Sequence, residues 1–150
     1  MRPYIELQET SSYGKQQYRW RIFLDESEGT KERRRLLAVS EAYTTKQAAI
    51  DTIHAVQYSF GLSAGYVEYT AERRAKKKAA PDATVRIGVI ELPKDFKCSR
   101  HLIYQQQAKN GRYYFHIKSD NGKVVAASPC WKSKERALDY TGALVLPEKV

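Results

Sequence analysis

The sequence predicts an α+β fold of two β-β-β-α repeats, antiparallel meanders that are each covered by a helix, with a basic central insertion between them. Two observations carry this prediction. Residues 18–22 (Tyr-Arg-Trp-Arg-Ile) match residues 113–117 (Tyr-Tyr-Phe-His-Ile) in aromatic, polar and apolar character at an offset of 95. Residues 38–51 then match residues 126–139 at an offset of 88, so two similar blocks recur in the same order.

The first strand of each repeat is predicted near residues 4–9 and 102–107, and a turn-rich segment follows each one. In the second repeat that segment contains an Asn-Gly pair, which is a strong hairpin signal. The second strands alternate between apolar and polar residues, as strands with one buried face do. With Trp20 and Phe115 directed to the core, the outward residues of these strands are Arg19, Arg21, Tyr114, His116 and Lys118. We expect them to form a basic and aromatic surface on adjacent strands.

Third strands are predicted through residues 36–40 and 124–128, after a long charged loop in the first repeat and an Asn-Gly turn in the second. Helices then begin near residues 44–47 and 133–136, where Thr and Ser provide N-cap side chains. The helix positions expected to be buried are Ala48, Ala49, Ile53, Val56, Ala137, Leu138 and Leu144.

The length of 150 residues predicts one domain. Its expected parts are repeat one at residues 3–60, the central insertion at 61–100 and repeat two at 101–147. The insertion contains a basic run at 73–78, expected to be a helix end or a mobile loop. It also contains a β-branched segment at 84–90, which predicts an added strand.

The charge balance indicates an anionic partner. There are 26 Lys and Arg against 17 Asp and Glu, a formal net charge of +9. The excess is uneven, with 11 basic against 10 acidic residues in 1–75 and 15 against 7 in 76–150. No apolar run approaches the ~20 residues of a membrane-spanning helix, and the N-terminus has no signal-peptide pattern. We therefore expect a cytoplasmic protein with no membrane partner.

Enzyme signatures are absent from the sequence. There is no glycine-rich phosphate loop, no Gly-x-Ser-x-Gly motif and no pair of histidines at metal-binding spacing. Cys98 and Cys130 show no metal-binding spacing either, and two reduced thiols are expected. Cys130 with His116 is the one combination of nucleophile and base worth naming. The expectation is a non-catalytic protein without a cofactor or a metal.

Residues 121–128 (Asn-Gly-Lys-Val-Val-Ala-Ala-Ser), with Trp131-Lys132-Ser133-Lys134 and a small-apolar helix after them, resemble the repeat of the YegP-like family of small bacterial and archaeal proteins. The function of that family is not established. The resemblance covers both copies but not the central insertion, and it implies a duplicated β-β-β-α fold without assigned catalytic residues.

A fainter similarity is to the Whirly proteins, which bind single-stranded nucleic acid and are also built from duplicated sheet-plus-helix units. Their Lys-Gly-Lys-Ala-Ala-Leu run is similar to residues 132–138, with serine in place of glycine and one additional residue. This similarity implies binding roles for Lys132 and Lys134.

Binding of single-stranded nucleic acid needs cations that follow the phosphates and flat rings on which bases stack. The sheet surface opposite the helices, together with the basic runs, supplies both. We therefore expect non-catalytic binding of single-stranded nucleic acid, with RNA favoured over DNA. The candidate binding residues are Arg19, Arg21, Arg33, Arg34, Arg35, Arg73, Arg74, Lys76, Lys77, Lys78, Tyr114, His116, Lys118, Lys132 and Lys134.

Each of these features also has a structural interpretation. Outward Arg and Lys on strands protect sheet edges against aggregation, and runs of charge are common on solvated helix faces. The alternative function is therefore a protein–protein interaction or oligomerisation module without nucleic-acid binding. In that alternative, exposed strands pair edge to edge and form a homo-oligomer across a twofold axis.

Overall fold

The computed structural model describes residues 3–12, 14–26, 33–68 and 85–144, and the predictions for the basic run at 73–78 lie outside them. The elements in chain order are β1 (Tyr4–Ser12), β2 (Lys15–Asp25), β3 (Arg34–Ser40), α1 (Lys46–Phe60), β4 (Ser63–Glu68), β5 (Val85–Ile90), β6 (Leu102–Gln107), β7 (Tyr113–Lys118), β8 (Val124–Ala127) and α2 (Lys134–Leu144). The eight strands and two helices of the described residues confirm the α+β class.

The described strands form one sheet in the order β5-β4-β1-β2-β3-β8-β7-β6. All neighbours are antiparallel except β1 and β4, which are parallel. The strands β3 and β8 meet in the middle, where Val39 pairs with Ala127 and Ser40 with Ala126. The two meanders β1-β2-β3 and β6-β7-β8 therefore belong to one continuous sheet.

Both helices pack on the face of the sheet that carries Trp20 and Phe115, which we call the helix face. Each of these two side chains is fully buried. The indole N–H of Trp20 donates to Thr52 Oγ1 of α1 at 2.9 Å, and the amide of Gln105 donates to Thr141 Oγ1 of α2 at 3.0 Å. The predicted direction of Trp20 and Phe115 is confirmed. We call the opposite face, against which neither described helix packs, the open face.

The helix α1 begins where the sequence predicts. Thr45 is its N-cap, and the hydroxyl of Thr45 accepts a hydrogen bond from Ala48 N at 3.1 Å. Gly61 ends the helix in the left-handed region with φ 67°, a conformation that glycine adopts without strain. Ala49, Ile53 and Val56 are fully buried, as predicted, whereas Ala48 is half-buried.

One predicted core position in α2 is wrong. The buried residues of this helix are Ala137, Tyr140, Thr141 and Leu144, at the spacing of a single helical stripe. Leu138 lies beside that stripe and is 48% exposed. Ala137 and Leu144 are buried as predicted.

The central insertion contributes two strands to the sheet. The predicted strand at 84–90 is confirmed as β5, but β4 was not predicted. The strand β4 follows α1 and returns parallel to β1, with Ala64 opposite Ile5. Its sequence, Ser-Ala-Gly-Tyr-Val-Glu, contains residues that are poor strand formers, so its conformation depends on the neighbouring strand.

The ends of the two meanders have matching hydrogen bonds. The backbone N–H of Trp20 donates to Ser40 Oγ at 2.9 Å, and that of Phe115 donates to Ser128 Oγ at 2.8 Å. Each meander also has a register shift at the same position of its second strand, after Ile22 in β2 and after Ile117 in β7.

Candidate nucleic-acid interface

A row of cross-strand partners runs across the open face through the eight described strands. Each member of the row is the pairing partner of the next. From β5 to β6 the row is Val89, Gly65, Glu6, Arg21, Val39, Ala127, His116 and Tyr104. The small residues in the middle separate an arginine-rich group on β1, β2 and β3 from a ring-rich group on β6 and β7.

The arginine-rich group is organised around a buried carboxylate. Glu6 is only 2% exposed, and its Oε1 lies 2.5 Å from Arg34 Nη1. The same Nη1 also lies within hydrogen-bond distance, 3.2 Å, of the Tyr4 hydroxyl. The guanidinium groups of Arg34 and Arg21 lie 4.2 Å and 5.0 Å from the centre of the Phe23 ring. The group therefore combines cations with a ring surface.

The electrostatics of this group favour a fixed positive charge at Arg34. Burial alone would lower the pKa of the Arg34 guanidinium. The hydrogen bond with Tyr4 and the negative charge of Glu6 outweigh burial, so the pKa of Arg34 is raised above its ordinary value. Arg34 therefore stays charged at every physiological pH.

The arginine-rich group contains buried polar atoms without a hydrogen-bond partner among the described residues. They include Glu6 Oε2, Arg19 Nε and Arg34 Nε. Buried polar atoms without partners are rare in folded proteins, because each has lost its hydrogen bonds to water. Within the described part of the chain the Arg19 side chain makes no hydrogen bond or ion pair, so its guanidinium can bind an anionic ligand.

The ring-rich group consists of Tyr104, Gln106, Tyr114, His116 and Lys118. The Lys118 ammonium lies 4.8 Å from the centre of the Tyr104 ring, and Tyr104 is 43% exposed. The rings of Tyr114 and His116 meet edge to face with centres 5.1 Å apart. The Tyr114 hydroxyl donates to Gln106 Oε1 at 2.8 Å. Partial burial, and next the charge of Lys118, lower the pKa of His116, which is therefore neutral at pH 7.

The structure brings six of the sequence-predicted binding residues to the open face. They are Arg19, Arg21, Arg34, Tyr114, His116 and Lys118. The expectation that the outward residues of the second strands lie on adjacent strands is wrong, because β3 and β8 lie between β2 and β7. The two groups are therefore about 14 Å apart, three strand spacings. Since β2 is an interior strand, protection of a sheet edge does not account for Arg19 and Arg21.

Strand alternation separates the three consecutive arginines of β3 and its approach. Arg34 points to the open face, whereas Arg33 and Arg35 line a cleft on the helix face, beside α2. Arg35 Nε donates to Glu26 Oε1 at 2.8 Å, and its guanidinium lies 5.7 Å from the centre of the Tyr140 ring. The three arginines, which were predicted to bind nucleic acid together, therefore lie on opposite faces of the sheet.

The two lysines implied by the Whirly similarity lie at the beginning of α2. Both Lys132 and Lys134 are exposed. Lys134 lines a cleft with Gln105 and Leu138 between α2 and β6, so it belongs to the helix side of the sheet edge. The candidates Arg73, Arg74, Lys76, Lys77 and Lys78 lie outside the described residues.

The first strand of each meander also contributes to this face, and the sequence pattern did not predict this contribution. Tyr4 and Glu6 on β1, and Tyr104 and Gln106 on β6, pair with the open-face residues of β2 and β7. The alternation of residues in β1 and β6 contains this information. It could be used only if the register of those strands with β2 and β7 were known.

Among the described residues no hydrogen bond joins Cys130 and His116, the one combination of nucleophile and base that the sequence offers. Cys130 is exposed, and His116 Nδ1 is buried without a hydrogen-bond partner in the described part of the chain. Within the described ranges, no group of three or more His, Cys, Asp or Glu residues is placed to hold a metal ion. Neither described helix has the length and apolar character needed to cross a membrane.

Two solved structures share the architecture of this chain, although no protein-family model and no curated protein matches its sequence. A UPF0339 protein from Shewanella oneidensis is 19% identical with a TM-score of 0.53, over 95% of this chain and 81% of that one. A YegP protein from E. coli, described as being of unknown function, is 18% identical with a TM-score of 0.52, over 96% and 84% of the two chains. The similarity to Whirly proteins is not shown. At the level of the fold the YegP resemblance is confirmed, and the chain has the fold of the YegP and UPF0339 proteins.

Proposed function

We propose that this protein binds single-stranded nucleic acid on the open face, without catalysis and in the cytoplasm. The row from Arg21 through Val39 and Ala127 to His116 and Tyr104 carries the proposal. It supplies cations at one end, rings at the other and small side chains between them, where a nucleotide chain can approach the sheet. Sheets with exposed rings are a common surface for single strands, because each stacked base contributes about 1–3 kcal/mol.

In this proposal the two groups have different tasks. Arg19 and Arg21 contact phosphates, and Arg34 adds a fixed positive charge beside them. Tyr104 and Tyr114 stack with bases, since their rings lie on the outer part of the sheet and Tyr104 is 43% exposed. A strand crossing the sheet would meet the cations and the rings in succession.

RNA is the preferred form in this proposal. The Tyr114 hydroxyl and the Gln106 amide lie together among the rings, and such groups can exchange hydrogen bonds with a 2′-hydroxyl. DNA lacks that hydroxyl and would lose those hydrogen bonds. We expect the same phosphate contacts for both nucleic acids.

Fluorescence anisotropy with labelled single-stranded RNA, single-stranded DNA and duplex DNA of equal length, at low and moderate salt, tests this function. We expect salt-sensitive binding that is tightest for RNA and weakest for the duplex, because stacking needs unpaired bases. Equal affinity for all three would exclude stacking and reduce the interaction to general charge attraction. No binding at low salt would reject the proposal.

A second candidate function is oligomerisation through the edge strand β6. In the described sheet this strand pairs only with β7, and it carries Leu102 at 56% exposure and Tyr104 at 43%. Pairing between two β6 strands would bury both side chains across a twofold axis. Sedimentation analysis of the wild type and of Ile103→Pro, which prevents backbone pairing at the edge, distinguishes this candidate. A monomer at all concentrations would reject it.

We also propose that the chain is one domain in which residues 3–60 and 101–147 are copies of one β-β-β-α unit. The paired serine hydrogen bonds to Trp20 and Phe115, and the paired register shifts, support this proposal. The Val39–Ala127 pair would then lie on a pseudo-twofold axis, because the offset of 88 aligns these two residues with each other.

A further inference from the structure

We infer that the cleft between α2 and the approach to β3 is a binding site for a sugar phosphate. The cleft has a volume of about 540 Å³ and is lined by Glu26, Arg33, Arg35, Arg136, Asp139 and Tyr140. This volume lies in the range of small-molecule sites. The cleft lies on the helix face, and the inference does not rest on the proposed function of the open face.

Three guanidinium groups converge on this cleft from two elements. Arg33 and Arg35 come from the approach to β3 and its beginning, where Glu26 N donates to Arg33 O at 2.8 Å and closes the base of the loop. Glu26 also holds Arg35, with 2.8 Å between Oε1 and Nε. Arg136 comes from the first turn of α2, across the cleft. Guanidinium groups suit phosphate because their donors match two of its oxygens at once.

Arg136 and Asp139 are the groups available to a ligand. Both are exposed, and within the described residues neither side chain has a hydrogen-bond or ion-pair partner. They are three residues apart in α2 and therefore lie on the same side of the helix. A phosphate would bond to Arg136 and the cationic side of the cleft, while the Asp139 carboxylate would accept hydrogen bonds from sugar hydroxyls.

This arrangement selects a phosphate monoester with hydroxyl groups over phosphate alone. An isolated phosphate would form hydrogen bonds with the arginines, but the carboxylate of Asp139 would repel it. A sugar phosphate separates its anionic end from its hydroxyl groups, so both kinds of side chain are satisfied. Free sugar phosphates and nucleotides share this chemistry, and the experiment separates the two.

Isothermal titration calorimetry of the full chain with inorganic phosphate, ribose 5-phosphate and adenosine 5′-monophosphate tests the inference. We expect both ribose esters to bind more tightly than inorganic phosphate. Tighter binding of the nucleotide than of ribose 5-phosphate would identify a nucleotide site, and equal binding a sugar-phosphate site. If neither ester binds more tightly than inorganic phosphate, the inference is wrong.

Two variants at exposed positions locate the binding. Arg136→Gln should weaken binding of both esters about tenfold, the loss of one charge-assisted hydrogen bond. Asp139→Asn should weaken the binding of ribose 5-phosphate, whereas the affinity for inorganic phosphate should stay the same or increase. Unchanged affinity in Arg136→Gln would overturn the site. Arg19→Gln/Arg21→Gln should leave ester binding intact, so failure of the open-face function and failure of this site are distinguishable.

Discussion

Val39 on β3 lies directly opposite Ala127 on β8, and this pair joins the two meanders into one sheet. The pairing of Val39 with Arg21, and of Ala127 with His116, aligns the basic residue of one half with the ring of the other. Both central side chains are small, so few atoms project from the sheet between the arginine-rich group and the ring-rich group. The short pairing of β3 with β8 thus creates the extended surface on which the proposed function depends.

We expect the buried and exposed arginine pairs to differ in their contribution to stability. Arg34→Met should lower the free energy of unfolding by about 3 kcal/mol, because it leaves the Glu6 carboxylate buried without its partner. Arg35→Met breaks the more exposed pair with Glu26 and should cost at most about 1 kcal/mol. Urea unfolding of the two variants gives both values. Equal losses would show that Glu6 does not depend on Arg34.

The serine hydroxyls at the two meander ends should each stabilise the fold. Ser40→Ala removes the acceptor of the Trp20 N–H, and Ser128→Ala removes the acceptor of the Phe115 N–H. Each change should cost about 1–3 kcal/mol, the penalty for a buried donor without a partner. Thermal unfolding monitored by circular dichroism measures the effect. Wild-type stability in both variants would mean that these hydrogen bonds are dispensable.

Trp131 should be a core residue rather than a stacking residue. It is 8% exposed and lies between Phe115 and Tyr140, with ring centres 6.0 Å and 5.0 Å away. Trp131→Ala should therefore cost about 3–5 kcal/mol of stability. Leu138→Ala, a change at the exposed side of the neighbouring helix, should stay within about 0.5 kcal/mol of the wild type. A Trp131→Ala protein as stable as Leu138→Ala would contradict this placement.

His116 should make stability depend on pH. Burial and the charge of Lys118 lower its pKa in the folded state, so the unfolded chain binds the proton more readily. Its contribution is complete above the unfolded pKa of about 6.5, decreases below that value and is lost once the pH has fallen through the lower pKa of the folded state. The charged and titratable groups around it are Lys118, Tyr104 and Tyr114.

Urea unfolding of wild type and His116→Gln at pH 7.5 and pH 5 isolates this contribution. The stability of the wild type relative to the variant should decrease at pH 5. A difference that does not change with pH would show that the His116 proton affinity is the same in the folded and unfolded chains.

The sequence predicts the faces of the strands better than their order. Alternation places Trp20 and Phe115 in the core, and the Thr45 N-cap marks where α1 begins. The pairing of β3 with β8, and the parallel return of β4 to β1, involve residues far apart in the chain. Such pairings depend on tertiary packing, which local periodicity does not encode.

Part of the candidate site could also be predicted from the sequence. Arg19 and Arg21 are outward on β2 from alternation alone. The burial of Glu6 follows from its contact with Arg34 across two strand spacings, and no local pattern indicates it. Likewise, Arg34 and Arg35 can be assigned to opposite faces only if the position at which β3 begins is known. The charged sequence before β3 does not mark that position.

The most direct test of the open-face function compares two charge-matched double variants. Arg19→Gln/Arg21→Gln removes two cations from the open face, and Lys94→Gln/Lys97→Gln removes two exposed cations from the segment after β5, where Phe96 packs against α1. Gln avoids placing new carboxylates beside Glu6.

Anisotropy with single-stranded RNA across a salt series measures affinity and its salt slope in each variant. The arginine variant should bind at least about tenfold more weakly, with a slope reduced by about 1.4 for two lost phosphate contacts. The lysine variant should match the wild type. Equal affinity and equal slope in the two variants would contradict binding on the open face.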